Sequence, residues 1–279
     1  MRETDVLIIG GGLTGLSCAR ELEKSGMRNY LLIEKMPRVG GLSGSMIKDG
    51  FTFDYSGHLL HLHDPEIKKV MLGLLGKNLS LIKRNSLVYS HKTYTPYPFQ
   101  ANTYGLPFKV ISECVSEFLK AYSTRNRVTT DGRMSFKDWA LAVFGKGICR
   151  HFMFPYNLKL WRHPLDKLGS DWCAPFVPRP LPGEVIAGAY MPQRKKFGYN
   201  ACFRYPVNGG AHAIPDAFAK NLKNIFTGKT VVAADFKSKT LEVTGLGTVR
   251  YKTLVSTMTS ENPAPLPLSP DSGRARSCI

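Results

Sequence analysis

One stretch near the N-terminus constrains the fold more than any other. Asp5–Ile9 (DVLII) is a short, β-rich apolar run of the kind a buried parallel strand needs. Gly10-Gly11-Gly12-Leu13-Thr14-Gly15 follows directly and fits G-x-G-x-x-G. The next residues, LSCARELEKSG, have helical character, with Leu16, Ala19, Leu22 and Leu13 toward one face and Gly26 as a stop. A second strand is predicted over Tyr30–Ile33, ending in Glu34. Strand, glycines, helix, strand and acid thus arrive in the order of a dinucleotide-binding unit.

Each position has a mechanical task there. Gly10 permits the sharp strand-to-helix turn, Gly12 lets a pyrophosphate approach backbone, and Gly15 allows close helix–strand packing. The helix N-terminus, with Leu13 and Thr14 in its first turn, supplies amides and partial positive charge. Glu34 is expected at a strand tip, where its carboxylate can accept from ribose hydroxyls and works against a 2′-phosphate, and so against NADP. The fold class expected is α/β, a Rossmann-like parallel sheet with an inserted, mainly helical domain.

A second glycine cluster follows in Glu34-Lys35-Met36-Pro37-Arg38-Val39-Gly40-Gly41-Leu42-Ser43-Gly44. It resembles the R-x-G-G segment of FAD-dependent enzymes of the amine oxidase and protoporphyrinogen oxidase type. That resemblance implies FAD as cofactor, with a second glycine-rich loop along it, Arg38 by its phosphates, and Lys35, Gly40, Gly41 and Leu42 in the binding loop. Further motifs narrow the match. Phe53–Ile67 (FDYSGHLLHLHDPEI) resembles the G-P-H-x-F-H segment of UDP-galactopyranose mutases, and Thr95–Pro107 resembles their L-P-F segment. Tyr156-Asn157-Leu158-Lys159-Leu160-Trp161 resembles Y-T-x-K-Q-W, Val177-Pro178-Arg179 resembles L-P-V-R, and Tyr205–Gly210 is similar to the M-P-x-G-G-Y stretch. The order of motifs is kept from residue 5 to about 257. Ser56-Gly57 stands where the family has Gly-Pro, and Leu160 where it has Gln.

The mutase resemblance implies a redox-neutral ring interconversion of UDP-galactopyranose and UDP-galactofuranose, with reduced flavin acting as the covalent catalyst through its N5. It implies His58 beside the flavin ring and Arg179 against the leaving diphosphate, which a planar guanidinium suits. Tyr156 and Trp161 would line the nucleotide-sugar site, with Lys159 assisting electrostatically. The rival expectation is an oxidase or desaturase of the amine oxidase and protoporphyrinogen oxidase type. For such an enzyme the flavin would border an apolar channel and not an arginine-lined pocket. The third is a fragment without turnover.

Composition narrows the remaining classes. The 279 residues are 43% apolar and 21% charged, too hydrophobic for a disordered chain and enough for a substantial core. Apolar runs span a few residues only, far short of the ~20 of a membrane helix, so stable membrane insertion is not expected. The N-terminus lacks a secretory h-region. Cys18, Cys114, Cys149, Cys173, Cys202 and Cys278 are scattered without C-x-x-C pairs, as suits a reducing, cytoplasmic setting. The net charge of +17 attracts polyanions, but the one dense basic run is Arg194-Lys195-Lys196 and no nucleic-acid-binding motif accompanies it. Nucleic acid is therefore not an expected partner; a small anionic ligand is.

His58, His61, His63 and Asp64 invite a metal. Yet His61 and His63 fall on one face of an extended segment and His58 on the other, with no H-E-x-x-H, so no metal site is expected. A serine hydrolase lacks its G-x-S-x-G elbow, since Gly41–Gly44 is one residue short.

The domain reading places 1–64 in the first half of the FAD domain, 65–200 in the inserted domain, 201–257 in the return, and 258–279 in an irregular tail. Helices are expected over Val110–Tyr122, Phe136–Val143 and Ala211–Leu222. Strands are expected over Lys229–Ala234, Lys239–Val243, Val249–Tyr251 and Leu254–Thr257. Beyond Thr257 lie four prolines without apolar periodicity. Mutases continue further, with a segment closing over the flavin, so the resemblance implies a truncated or frame-shifted product.

Overall fold

The computed structural model describes residues 1–124, 134–193 and 202–258. In chain order the strands are β1 (Arg2–Ile9), β2 (Tyr30–Ile33), β3 (Ser45–Lys48), β4 (Phe51–Asp54), β5 (Leu79–Lys83), β6 (Leu87–Ser90), β7 (Thr93–Pro96), β8 (Cys202–Pro206), β9 (Ile225–Phe226), β10 (Val231–Asp235), β11 (Thr240–Val243) and β12 (Gly247–Ser256). The helices are α1 (Leu13–Lys24), α2 (Pro65–Leu75), α3 (Phe108–Ser123), α4 (Phe136–Ile148), α5 (Phe154–Trp161), α6 (Cys173–Phe176), α7 (Pro182–Tyr190) and α8 (Ala213–Ala219). They form two units: Met1–Ile82 together with the chain from Arg204 onward, and Lys83–Phe203.

The first unit is a Rossmann-like α/β layer. Its six-stranded sheet has the order β10-β11-β12-β1-β2-β9. Strands β12, β1, β2 and β9 run parallel, while β10 and β11 are antiparallel. Strand β1 is apolar at consecutive positions because both its faces are covered. Val6 and Ile8 pack with Leu16 and Ala19 of α1, whereas Leu7 and Ile9 pack with Leu241, Val249 and Tyr251. The ribbon β3–β4 completes this unit.

Three expectations need adjustment. Val249–Tyr251 and Leu254–Thr257 are parts of one strand, β12, which pairs β11 on one edge and β1 on the other. The polar residue that interrupts the apolar pattern, Lys252, is exposed, and its Nζ lies 2.6 Å from Asp5 Oδ1. Residues 65–82 belong to the first unit and not to the inserted one, because Met71, Leu75 and Leu79 bury against Ile214. Helix α2 starts as its sequence dictates: Asp64 Oδ1 accepts from the Glu66 and Ile67 amides, and Pro65 opens the first turn. The helix expected over Ala211–Leu222 is a 3₁₀ turn at Gly210–His212 followed by α8.

The second unit is mainly helical. Trp139, Phe136, Phe144, Phe118 and Ile148 form the centre of a core between α3 and α4. The β6–β7 hairpin buries Thr95 on one face and leaves Tyr89 and Tyr94 exposed on the other, their rings 4.9 Å apart. Among the described residues, no helix is long and apolar enough to cross a membrane.

Candidate dinucleotide site and the helical unit

The glycine loop stands between the C-terminal ends of β1 and β12, where β1 departs through α1 to β2 on its other side. Such a switch point opens a crevice at the ends of parallel strands. Gly10 has φ +105°, a left-handed conformation that disfavours any side chain. A Cβ at Gly15 would lie 2.0 Å from Gly10 O and 3.3 Å from Ile8 Cγ2, so only glycine lets α1 approach the strand. Gly12 differs: its φ is −73°, and a Cβ there would meet no protein atom within 4 Å. The N-terminus of α1 has no side-chain cap. The room left at Gly12, at an uncapped helix N-terminus, is what a bound phosphate requires.

Glu34 sits at the end of β2 and is 7% exposed. Its Oε2 accepts the Gly11 N–H at 2.6 Å and its Oε1 the Met36 N–H at 2.8 Å. The sequence reading left this carboxylate open for ribose hydroxyls; in the structure each oxygen already carries one backbone amide. The carboxylate thus ties the glycine loop to β2.

The second glycine loop lies directly against the first. The Gly40 amide donates to Gly11 O at 2.8 Å, and a Cβ at Gly41 would come 3.4 Å from Gly12 Cα. Lys35 and Leu42 are exposed. The Arg38 guanidinium donates to the Ser45 carbonyl, which draws it across the loop it belongs to. The Tyr205–His212 segment joins here as well. Ser45 Oγ donates to Asp54 Oδ1 at 2.6 Å and accepts the His212 amide at 3.0 Å. Asp54 also accepts from the Ala211 amide at 3.0 Å and from the Tyr205 hydroxyl. Burial alone would push the Asp54 carboxyl up, but these donors and the nearby His58 outweigh it and hold it below its usual value.

His58 is half-buried, with Nδ1 2.9 Å from Ser56 O. A carbonyl only accepts, so Nδ1 is the donor in this contact. The His61 and His63 rings lie parallel, 6.5 Å apart.

In the helical unit, α5 carries the Tyr156–Trp161 motif. Asn157 alone among its residues is buried, donating to Met153 O at 2.8 Å and accepting from Trp161 Nε1 at 3.2 Å. Tyr156 is 50% exposed and stacks on Phe152; Trp161 is 45% exposed, its edge against Trp172. Lys159 is exposed. Both aromatics are therefore displayed and not consumed by the core. Arg179 is half-buried between the buried Pro178 and Pro180, with Cζ 5.6 Å from the Trp139 ring centre. The basic run at 194–196 and the tail from 259 lie outside the described residues.

Several residues escaped the sequence reading. Thr257 caps the switch point, donating both its amide and its hydroxyl to Ile9 O at 2.9 Å. Its signal was its place one residue past β12, opposite the end of β1. The bonds of Asp54 to Tyr205 and Ala211 and of Ser45 to His212 carried none, since they join segments more than 150 residues apart.

Comparison with known proteins fits this geometry. Residues 8–73 match the family described as NAD(P)-binding Rossmann-like domain. A 4,4'-diapolycopene oxygenase from Methylomonas sp is 43% identical over 75 residues, 27% of this chain and 14% of that protein. A 4,4'-diapophytoene desaturase (4,4'-diaponeurosporene-forming) from Staphylococcus aureus (strain bovine RF122 / ET3-1) is 32% identical over 90 residues, 32% of this chain and 17% of the relative. A crystal structure of reduced UDP-galactopyranose mutase superposes with a TM-score of 0.81 and 30% identity, covering 91% of this chain and 55% of that one. A putative protoporphyrinogen oxidase from Exiguobacterium sp. 255-15 shares the fold, with TM-score 0.63 and 16% identity over 92% of this chain and 59% of its own. The chain thus spans about half the length of these solved relatives. The fold is the FAD-binding α/β fold, and FAD is the cofactor that goes with it.

Proposed function

We propose that this chain is a flavoprotein that holds FAD on the first unit and engages a nucleotide-sugar diphosphate through the helical unit, as a UDP-galactopyranose mutase-like protein. The observation that carries this reading is the extent of the mutase likeness, 91% of the chain at 30% identity, against 27–32% of the chain for the curated oxygenase and desaturase. Arg179 and the displayed Tyr156 and Trp161 are the chemistry a sugar nucleotide needs: a cation for the diphosphate and aromatic walls for base and sugar. The activity class is FAD-dependent, and the ring interconversion of UDP-galactopyranose and UDP-galactofuranose is its specific form.

In this reading Gly10–Gly15 and the α1 N-terminus hold the pyrophosphate, while Glu34 accepts from the adjoining ribose. Lys35, Arg38 and Gly40–Leu42 border the same groups from the second loop. His58 lies beside the cofactor ring. Arg179 neutralises the diphosphate, and Tyr156 and Trp161 exclude water from the sugar. When bound in its reduced form, FAD would supply the nucleophile for a redox-neutral interconversion.

A second reading, an FAD-dependent oxidoreductase of the desaturase kind, is supported by the curated relatives. One experiment separates the two. The full chain is reconstituted with FAD, reduced with dithionite and given UDP-galactofuranose. Flavin absorbance and conversion to UDP-galactopyranose support the mutase reading. Flavin absorbance without UDP binding sinks it in favour of the oxidoreductase, and protein that stays colourless removes both.

A further inference from the structure

The turn of the β6–β7 hairpin consists of His91 and Lys92, with Ser90 and Thr93 paired across it. Both turn residues have positive φ, +51° and +63°. A two-residue hairpin turn calls for that conformation, which favours Asn and Gly over longer side chains. Here a second contact holds the turn. His91 Nε2 lies 3.1 Å from His151 Nδ1, with ring centres 4.9 Å apart and ring planes inclined at 64°. The His91 ring has no other partner among the described residues.

His151 is anchored in its turn. It sits on the π-helical turn Cys149–Met153 between α4 and α5, a rare widening of the helix. Its side chain is 13% exposed, and its Nε2 lies 3.1 Å from Glu113 Oε2 on α3. Glu113 Oε1 accepts from Arg150 Nη1 at 2.8 Å. The charged groups around the histidine pair are therefore Glu113 and Lys109 of α3, Arg150 of the π turn and Lys92 of the hairpin. The Cys114 thiol beside Glu113 is pushed up to about 12 by burial and stays neutral. The His151 bond above all, then Arg150 and Lys109, outweigh desolvation and hold the Glu113 carboxyl below its ordinary value.

This arrangement limits how many protons the pair can carry. An ionised carboxylate only accepts, so His151 Nε2 is the donor to Glu113. Between the two facing ring nitrogens one proton fits, given by either ring to the other. A second would set two N–H groups head to head and two cations side by side. The contact thus tolerates one positive charge on the pair and not two. Imidazole is the side chain that ordinarily changes charge between about pH 5 and 8.

We propose that the His91–His151 contact is a pH-operated latch that fastens the β6–β7 turn to the helical core at neutral pH and releases it on acidification. The contact opposes uptake of the second proton, so its contribution is present at higher pH and is lost as the second ring protonates. Release is one-sided. A charged His151 keeps Glu113, whereas His91 has no carboxylate beside it among the described residues. Release is also local, because Thr95 is buried and Val88 packs on the helical core, so the body of the hairpin stays. The latch depends on none of the cofactor or substrate assignments above.

Amide hydrogen exchange of the full chain tests it, followed by NMR at pH 7.5 and 5.0 and corrected for the intrinsic rate at each pH. At pH 5.0 the carboxyls of Glu113 and Asp54, both held below their ordinary values, remain ionised. Native protein is expected to lose about three- to tenfold in protection at the Ser90–Thr93 amides between the two pH values. The Val143 and Phe144 amides of α4 are expected to change by less than about twofold. His91→Gln carries a side-chain amide that can donate or accept but not titrate, and should keep the native pH 7.5 protection at both pH values. His151→Phe leaves the turn sequence intact and should show the low protection at both. Equal turn protection in native protein at the two pH values overturns the proposal. So does a native-sized pH loss in either variant, or a parallel loss at Val143 and Phe144.

Discussion

Glu34 Oε2 accepts the Gly11 amide at 2.6 Å, so the acid at the end of β2 is a structural member of the glycine loop whether or not a ligand is bound. Glu34→Gln can keep one acceptor but turns an NH₂ toward an N–H. The loop loses a charge-assisted bond at a buried position, worth about 1–3 kcal/mol. The expected result is a lower Tm in the protein without cofactor as well as weaker FAD uptake. Unchanged apo stability in thermal unfolding would confine Glu34 to ligand contact.

Gly12 and Gly15 lie in one turn and yet predict opposite phenotypes. A Cβ at Gly15 would strike the Gly10 carbonyl at 2.0 Å, so Gly15→Ala must push α1 off the sheet, at a cost of about 2 kcal/mol or more. A Cβ at Gly12 meets no protein atom, and its φ of −73° suits alanine. Gly12→Ala is therefore expected to fold with stability within about 1 kcal/mol of native protein. Its FAD affinity should nonetheless fall by about tenfold or more, because the methyl occupies space a phosphate needs. Urea unfolding and FAD titration of the two variants check both expectations.

These two glycines mark how far a sequence read alone can reach. Residues whose task follows from local backbone were legible, as were the strand, helix and acid around them. Arg38 and Glu34 were legible as candidates beside the glycine loop but not in their bonds, which depend on how two loops stack. Thr257 and the Asp54 cluster were not legible. Their partners come from far along the chain, and no local periodicity encodes a contact between Asp54 and Tyr205.

Asp54 predicts a pH dependence. Its carboxyl lies below its ordinary value of 3.8 in the folded protein, because the Ser45, Tyr205 and Ala211 donors outweigh its burial. A lowered folded value means that the ionised form stabilises the fold above 3.8 and that this contribution is lost as pH falls through the folded value. Asp54→Asn should therefore be less stable than native protein at neutral pH. The gap should narrow as the pH drops below 3.8 and close at lower pH. A gap that stays constant on acidification would mean that Asp54 contributes by shape and not by charge.

Three cysteines offer a test of the helical core. Burial pushes the Cys114, Cys149 and Cys173 thiols up to about 12, far from the thiolate range at neutral pH. None of the three is exposed, and each carries a free thiol. Alkylation by iodoacetamide at about pH 8 requires both access and a thiolate, and the folded unit supplies neither. Mass spectrometry is expected to find these three unmodified in native protein and rapidly labelled in urea, with the partly exposed Cys18 labelled sooner. Because Cys114 and Cys149 lie within the α3–α4 core, their labelling should appear with the loss of that packing. Labelling of Cys114 at the rate of Cys18 under native conditions would mean that the helices open locally without global unfolding.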